Sequence, residues 1–407
     1  MNKRSRTGIA PLALALAVVL GGCSQVGDTA GAERPAPEPV VAEAAGVFAD
    51  PAKNSPDTLA LAATAQDWAV PIEVIDCQTP GCEGARTPGV YTPLAPSDLT
   101  EKWSICAVLP HVKDPYWVGQ NAAMVSEAQR MGVALQTYEA GGYTEISNQL
   151  DQLSNCAAGG ADAIIAGAVS NEALNTRIEE IAAQGIPVID AINGVTSESV
   201  AGRALFDYCT LGGNLGRHLK ETGKKVRAVW FPGPAGVGSL EQLMSCFKKE
   251  SAGGDVEMLG VQYGDTGKDA QLNLIENALG AYPEMNYIIG SATTVDAAVG
   301  PLAERGLADK INTASYYFTP EVHSLLSSGK ATCSSAGNDL VLSRIAVDMA
   351  LRVLENKPFV GGSYVGTTAN VICGRAAGKD YDNLDSLVKE LNLPPEGYRP
   401  VFTVEAK

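Results

Sequence analysis

The sequence predicts an α/β protein of two doubly wound lobes, preceded by an extended N-terminal arm. Two observations carry this prediction. From Trp103 onward, short apolar runs alternate with stretches whose apolar residues recur at helical spacing, unit after unit. The units fall into two sets of like order, separated at 193–199, and alternation of this kind builds parallel sheets covered by helices. The two sets share the pattern only; no stretch of sequence repeats between them.

The first strand and the helix after it organise the rest. Ile105, Ala107, Val108 and Leu109 form the apolar run of a central parallel strand, which is covered on both faces. Asp114 and Pro115 have the chemistry of a helix N-cap and a first helical residue. This places Tyr116 and Trp117 just past the carboxyl end of the strand, where open α/β sheets bind ligands. Met124, Val125, Ala128 and Met131 mark the helix, and Gly132 ends it. Val133, Leu135 and Thr137 alternate as a second strand, followed by the loop Ala140-Gly141-Gly142-Tyr143. Ile146, Leu150, Leu153 and Ala157 mark a second helix. A strand over 161–165, a helix over 172–184 and a strand over 186–189, running out into Asp190 and Asn193, complete the first set. The second set predicts helix 211–221, strand 226–231, loop 232–238, helix 239–249 and strand 256–259. After Gly264-Asp265-Thr266-Gly267 come helix 270–279, strand 287–289, helix 296–305, strand 311–314, a short helix 320–326, strand 331–334 and helix 340–355.

The N-terminus reads as an export signal. Lys3, Arg4 and Arg6 precede an apolar core, and residues 9–22 are too few to span a bilayer. Leu20-Gly21-Gly22-Cys23 resembles a bacterial lipobox. That implies cleavage before Cys23, lipid on Cys23, and a periplasm-facing protein that meets the membrane only through this anchor. Ser24 after the cysteine favours the outer membrane. Residues 23–66, rich in Pro, Ala, Glu and Gly, predict a disordered tether, and 67–102 an extended arm. A net charge of −16 argues against a nucleic-acid partner or an anionic membrane surface. Without Cys23, eight of the nine cysteines remain, and an even number in an exported chain reads as disulfides. Cys77 and Cys82 flank a Pro-Gly turn and predict a bond of their own. With no Cys-x-x-Cys and only His111, His218 and His323 as imidazoles, neither a metal nor a cofactor is expected.

Signatures of catalysis are weak. The loop from Gly233 to Ser239 has the glycines of a phosphate loop but no lysine, and Pro234 removes an amide donor. It reads as a tight turn lining a cleft. No serine sits in a Gly-x-Ser-x-Gly elbow. The single Asp-Thr-Gly at 265–267 lacks the second copy that an aspartic protease needs. The chain is expected to bind and not to catalyse. Tyr116, Trp117, Tyr143, Tyr316 and Tyr317 all fall in loops after strands. Together they suggest an aromatic cage, because π faces attract methylated ammonium groups.

Several motifs resemble the TorT family, periplasmic trimethylamine N-oxide sensor proteins among the type I periplasmic binding proteins. They are Ile105-Cys106-Ala107, Pro110-His111-Val112-Lys113-Asp114-Pro115-Tyr116-Trp117, Ala140-Gly141-Gly142-Tyr143, Trp230-Phe231-Pro232-Gly233-Pro234 and Gly264-Asp265-Thr266-Gly267, in order between about 67 and 359. The resemblance implies three crossovers between the lobes, hinge closure on a small ligand, and ligand contact by Asp114, Tyr116, Trp117 and Tyr143. It also implies a signalling partner, the periplasmic domain of a membrane histidine kinase. Asp190, Asn193, Ser291 and Tyr316 join the ligand set from their places at strand ends. In that fold the second helix crosses behind the first strand, so Cys106 can meet Cys156. Cys209 and Cys246 lie on helices flanking strand 226–231, and Cys333 and Cys373 remain as a pair. Ala292-Thr293-Thr294-Val295 stands where sugar-binding relatives carry an Asn-Asp pair, which argues against a sugar.

The organisation expected is a leader 1–22, a tether 23–66, an arm 67–102, a first lobe 103–198 with 336–358, a second lobe 199–335 with 359–375, and a tail 376–407. The ligand expected is trimethylamine N-oxide or a close methylated analogue. The alternative is a substrate-binding lipoprotein of an ABC importer for another small polar solute. The lipid anchor, the Pro-rich tether and the extra cysteines depart from the family.

Overall fold

The structure is a computed structural model that describes residues 68–80, 84–367, 369–374 and 398–407. The expected leader and tether, with Cys23, lie outside the described residues, as do Cys82 and most of the tail. The arm forms a hairpin of β1 (Val70–Ile75) and β2 (Arg86–Tyr91). There follow β3 (Ser104–Leu109), α1 (Pro115–Met131), β4 (Ala134–Glu139), α2 (Ile146–Ala158), β5 (Ala163–Gly167), α3 (Asn175–Ala182), β6 (Val188–Ile192) and β7 (Gly202–Leu205). The second run comprises α4 (Tyr208–Glu221), β8 (Val226–Gly233), α5 (Gly238–Ser251), β9 (Val256–Tyr263), α6 (Lys268–Ala281), β10 (Tyr287–Gly290), α7 (Ala292–Glu304), β11 (Asn312–Ser315), α8 (Pro320–Ser327) and β12 (Cys333–Gly337). The chain closes with α9 (Asp339–Leu354), β13 (Tyr364–Gly366), β14 (Ala369–Cys373) and β15 (Thr403–Val404).

These strands make two sheets, ordered β15-β4-β3-β5-β6-β7-β13-β1-β2 and β14-β12-β11-β10-β8-β9. The parallel centres, β4-β3-β5-β6-β7 and β9-β8-β10-β11-β12, share one winding: the second strand lies outside the first, and the rest follow on the other side. A sheet wound this way reverses direction between its first and third strands, and ligands bind beyond the carboxyl ends there. The ends of β3 and β5, and of β8 and β10, therefore define the place to look.

The lobe boundaries differ from those expected. β7 pairs in parallel with β6, so the chain first leaves for the second sheet after Leu205 and not at 193–199. It returns after β12, at Gly337, and crosses again between β13, paired with β7, and β14, paired with β12. Both the arm and the end of the tail join the first sheet, β1 on β13 and β15 on β4. Arg203, buried inside β7, hides that strand from a reading based on apolar runs. Pro88 and Gly89 hide β2, where proline is tolerated because the strand is an edge.

Packing around the sheets rests on close approach and on buried ion pairs. Along α4, Gly212 and Gly216 are four residues apart on one face, and α5 lies against them. A Cβ on Gly212 would stand 2.0 Å from the Leu243 carbonyl oxygen, so only glycine permits this contact. Cys209–Cys246 joins the same two helices, Cys106–Cys156 joins β3 to α2, and Cys333–Cys373 joins β12 to β14. Cys77 is also in a disulfide. α9 returns to the first lobe and packs on α1 and on β5 to β7. There Arg344 donates to Glu127 at 2.6 and 2.8 Å, and the Trp68 indole donates to the same carboxylate at 3.0 Å. The arm is thereby fastened to both helices.

Candidate functional site

The residues that meet where the two reversal points face each other are mostly aromatic. Asp114 stands where β3 hands over to α1, and its Oδ1 accepts the Trp117 N–H at 3.0 Å. This cap fixes the first helical turn and so the directions of Tyr116 and Trp117, both buried. Tyr143 comes from the loop after β4, where Gly141 and Gly142 take φ of 97° and 154°, open to glycine at little cost. From the second lobe come Thr266, after β9, and Tyr316 and Tyr317, after β11. Phe206 and Tyr208 come from the first passage between the lobes. With Leu211 and Leu240, these residues wall one cavity. About 30 Å³ of it is open to the centre of a water-sized group. That suits a compact ligand and falls well short of the pockets of about 300 Å³ and upward that hold drug-sized molecules.

The lobes are closed on one another. The Tyr116 and Tyr317 rings are 4.8 Å apart, and Gly238 N–H donates to Asn171 Oδ1 at 2.9 Å. Thr266 Oγ1 lies 3.4 Å from Asp114 Oδ2. Burial raises the Asp114 pKa, opposed by His111 and by the Trp117 N–H. Burial lowers that of His111, which keeps the imidazole neutral at pH 7. Burial also raises the phenols of Tyr116, Tyr143, Tyr208, Tyr316 and Tyr317, so all five remain protonated.

Where those protons go decides what the cavity offers. Tyr316 donates to the Pro232 carbonyl at 2.6 Å, and Tyr208 to Asn193 Oδ1 at 2.8 Å. The Tyr143 oxygen receives the Trp117 indole N–H and Asn193 Nδ2, each at 3.2 Å, which leaves its own proton unspent. Tyr116 Oη is buried with no partner among the described residues. The wall thus offers the phenols of Tyr116 and Tyr143 as donors among π faces.

Of the eight residues expected in the ligand set, Asp114, Tyr116, Trp117, Tyr143 and Tyr316 line this cavity. Asn193 stands behind it, ordering Tyr143 and Tyr208, and lines an adjoining cavity of about 310 Å³. Asp190 and Ser291, expected in the ligand set, do not line the cavity. Asp190 is fully buried in an ion pair with Arg203 and accepts the Val195 N–H at 2.9 Å; it lines neither cavity. Ser291 caps α7 by accepting the Thr294 N–H at 3.0 Å. Phe206, Tyr208 and Thr266 were missed. Tyr208 announces itself as an aromatic after a strand only once β7 is recognised; Thr266 sat in a motif already singled out.

Residues 105–358, more than half of the chain, match the family model of a periplasmic binding protein domain. The chain belongs to the periplasmic binding protein family. Members of this family bind ligands rather than catalyse, and membership supports a periplasmic location. The binding protein is 28% identical over 316 residues to the periplasmic protein TorT of Escherichia coli K12, covering 77% of this chain and 88% of TorT. A solved complex of the TorS sensor domain with TorT in the presence of TMAO matches it with a TM-score of 0.64 and 27% identity, over 74% of this chain and 100% of that chain. An ABC transporter solute binding protein from Bradyrhizobium sp. BTAi1, solved with bound bis-tris, matches with a TM-score of 0.69 and 36% identity, over 83% and 98%.

Proposed function

We propose that this binding protein takes trimethylamine N-oxide, or a close methylated analogue, between its lobes and reports it by closure to the periplasmic domain of a membrane histidine kinase. The observation that carries this reading is the cage: Tyr116, Trp117, Tyr143, Tyr208, Tyr316 and Tyr317 around one small cavity. Its π faces attract the methylated nitrogen, and the phenols of Tyr116 and Tyr143 donate to the N-oxide oxygen. The Trp117 indole, a natural candidate for that donation, is engaged with Tyr143 and serves the ligand with its face alone. Asp114, walled in beside the nitrogen, complements its positive charge. The TorT complex formed with a sensor domain in the presence of TMAO supports ligand and partner alike. Lipid on Cys23 anchors the protein, to the outer membrane by the Ser24 criterion, with 23–66 as the tether.

A second reading is transport, as the binding component of an importer. It is favoured by the Bradyrhizobium protein, whose bis-tris is a tertiary amine bearing hydroxyl groups, and by the adjoining cavity, which a longer ligand would enter. Calorimetry of the purified protein with trimethylamine N-oxide, trimethylamine, betaine, bis-tris and ribose separates the two. A ligand of about five heavy atoms, at a ceiling near −1.5 kcal/mol per atom, binds no tighter than roughly micromolar. The expected result is binding of the N-oxide at or above that limit, with ribose silent. Silence for the N-oxide with binding of bis-tris discards the sensor's ligand and brings transport forward.

A further inference from the structure

At the other end of the second lobe lies a cluster unrelated to the cage. β8, β10, β11 and β12 begin there, and His218 of α4 faces the disulfide between Cys333 and Cys373. Its Nε2 is 3.2 Å from Cys373 Sγ and 3.6 Å from Cys333 Sγ. The three ligand atoms lie within 4.8 Å of one another and open on a cavity of about 360 Å³, lined also by Tyr287, Thr332 and Glu221.

We propose that this cluster is a latent zinc site, closed by the disulfide and opened by its reduction. A tetrahedral Zn²⁺ with bonds of about 2.3 Å to sulfur and 2.0–2.1 Å to nitrogen places its nitrogen roughly 3.6 Å from each sulfur and its sulfurs roughly 3.8 Å apart. The imidazole already stands near that distance from both sulfurs. Only the sulfurs must separate. Cys333 and Cys373 are directly opposed on antiparallel strands with their Cα atoms 3.8 Å apart, so rotating the two side chains away from each other separates the sulfurs while the sheet stays in register. Two thiolates and one imidazole suit zinc, and the fourth position falls to water from the cavity.

The chemistry balances with a dithiol as reductant. Its two thiols become a disulfide, the Cys333–Cys373 bond breaks, and each sulfur takes one hydrogen. Zn²⁺ then displaces both thiol protons to solvent. In the oxidised chain neither sulfur is a thiolate, and the site is shut. Redox state thus selects between a covalent and a metal tie across the same strand pair.

The test titrates purified full-length protein with Co²⁺, then Zn²⁺, in the oxidised state and after reduction by a phosphine that is then removed. The expected result is a thiolate-to-cobalt charge-transfer band with tetrahedral visible bands in the reduced protein only, one cobalt per chain, displaced by Zn²⁺. His218→Asn, which keeps every cysteine, should weaken binding at least about 10–100-fold, the loss that follows even removal of an outer-shell partner. Cys333→Ser with Cys373→Ser should abolish the band although the other thiols remain. Absence of the band in the reduced wild type overturns the proposal. So does a band of unchanged affinity in His218→Asn, or one that survives in the double serine variant. Should the serine variant fail to fold, His218→Asn decides alone.

Discussion

Trp117 gives the cage a π face and, through its indole N–H, holds Tyr143 in place. Trp117→Ala removes both and should weaken ligand binding by about 1–2 kcal/mol, read by calorimetry; unchanged affinity would dismiss the cage. Asp339 offers a test at the same scale. It is buried with one carboxyl oxygen unpartnered among the described residues, and burial pushes its pKa well above 3.8. A carboxyl that keeps its proton in the fold and loses it in the unfolded chain adds stability at low pH. That contribution is lost as pH rises from about 4 towards the folded-state value. Asp339→Asn removes the titration, so its urea midpoint should gain on the wild type between pH 4.5 and 7.5; parallel curves would show that Asp339 is ionised in the fold. Single residues were legible where position and chemistry coincided. Tyr116, Trp117 and Tyr143 follow recognisable strands and have few local uses for an aromatic ring. Asp190 and Ser291 shared the position, but a carboxylate and a hydroxyl find partners nearby. Arg203, thirteen residues on, claimed the first, and the Thr294 amide the second.

The arm is the element whose role the sequence least discloses. Trp68, Val70 and Ile72 alternate into the core, yet the strand that completes the hairpin carries Pro88 and Gly89. What holds the arm is distant in the chain: Trp68 bonds to Glu127, and Arg344 lies 4.9 Å over the Trp68 ring. Such side-chain pairs between α1, α9 and the arm leave no periodic trace. Burial alone would raise the Glu127 pKa; Arg344 and Arg130 outweigh it and hold the carboxylate below its ordinary range. Its stabilisation is therefore full above about pH 4.5 and fades as pH falls through the lowered value. Glu127→Gln removes the buried carboxylate that Arg130 and Arg344 share and should cost about 3–5 kcal/mol in urea unfolding at pH 7. A loss under 1 kcal/mol would mean that the aromatic stacking of Trp68 on Tyr91 fastens the arm instead.

At the scale of the molecule, the division into two doubly wound lobes was readable because apolar strands and amphipathic helices alternate. The passages between lobes were not, since they occur at short strands, β7 and β13, whose length and polar content give no period to detect. Those passages make the second lobe two insertions in the first, 206–337 and the single strand β14. The described chain enters at Trp68 beside β1 and finishes at Lys407, which donates its backbone N–H to the Gly132 carbonyl; both places belong to the first lobe. A pull between Trp68 and Lys407 therefore loads the first lobe alone. In an optical trap, β1 and β15 should peel away first, and the 206–337 insertion should lengthen only in a later, separate step. The reverse order would mean that the load path crosses the cleft. In the oxidised chain the Cys333–Cys373 bond closes a loop of 40 residues that contains α9, so that length never appears in the extension record. Force, like ligand, finds the two lobes unequal: while β15 holds, one bears it and the other hangs from it unstrained.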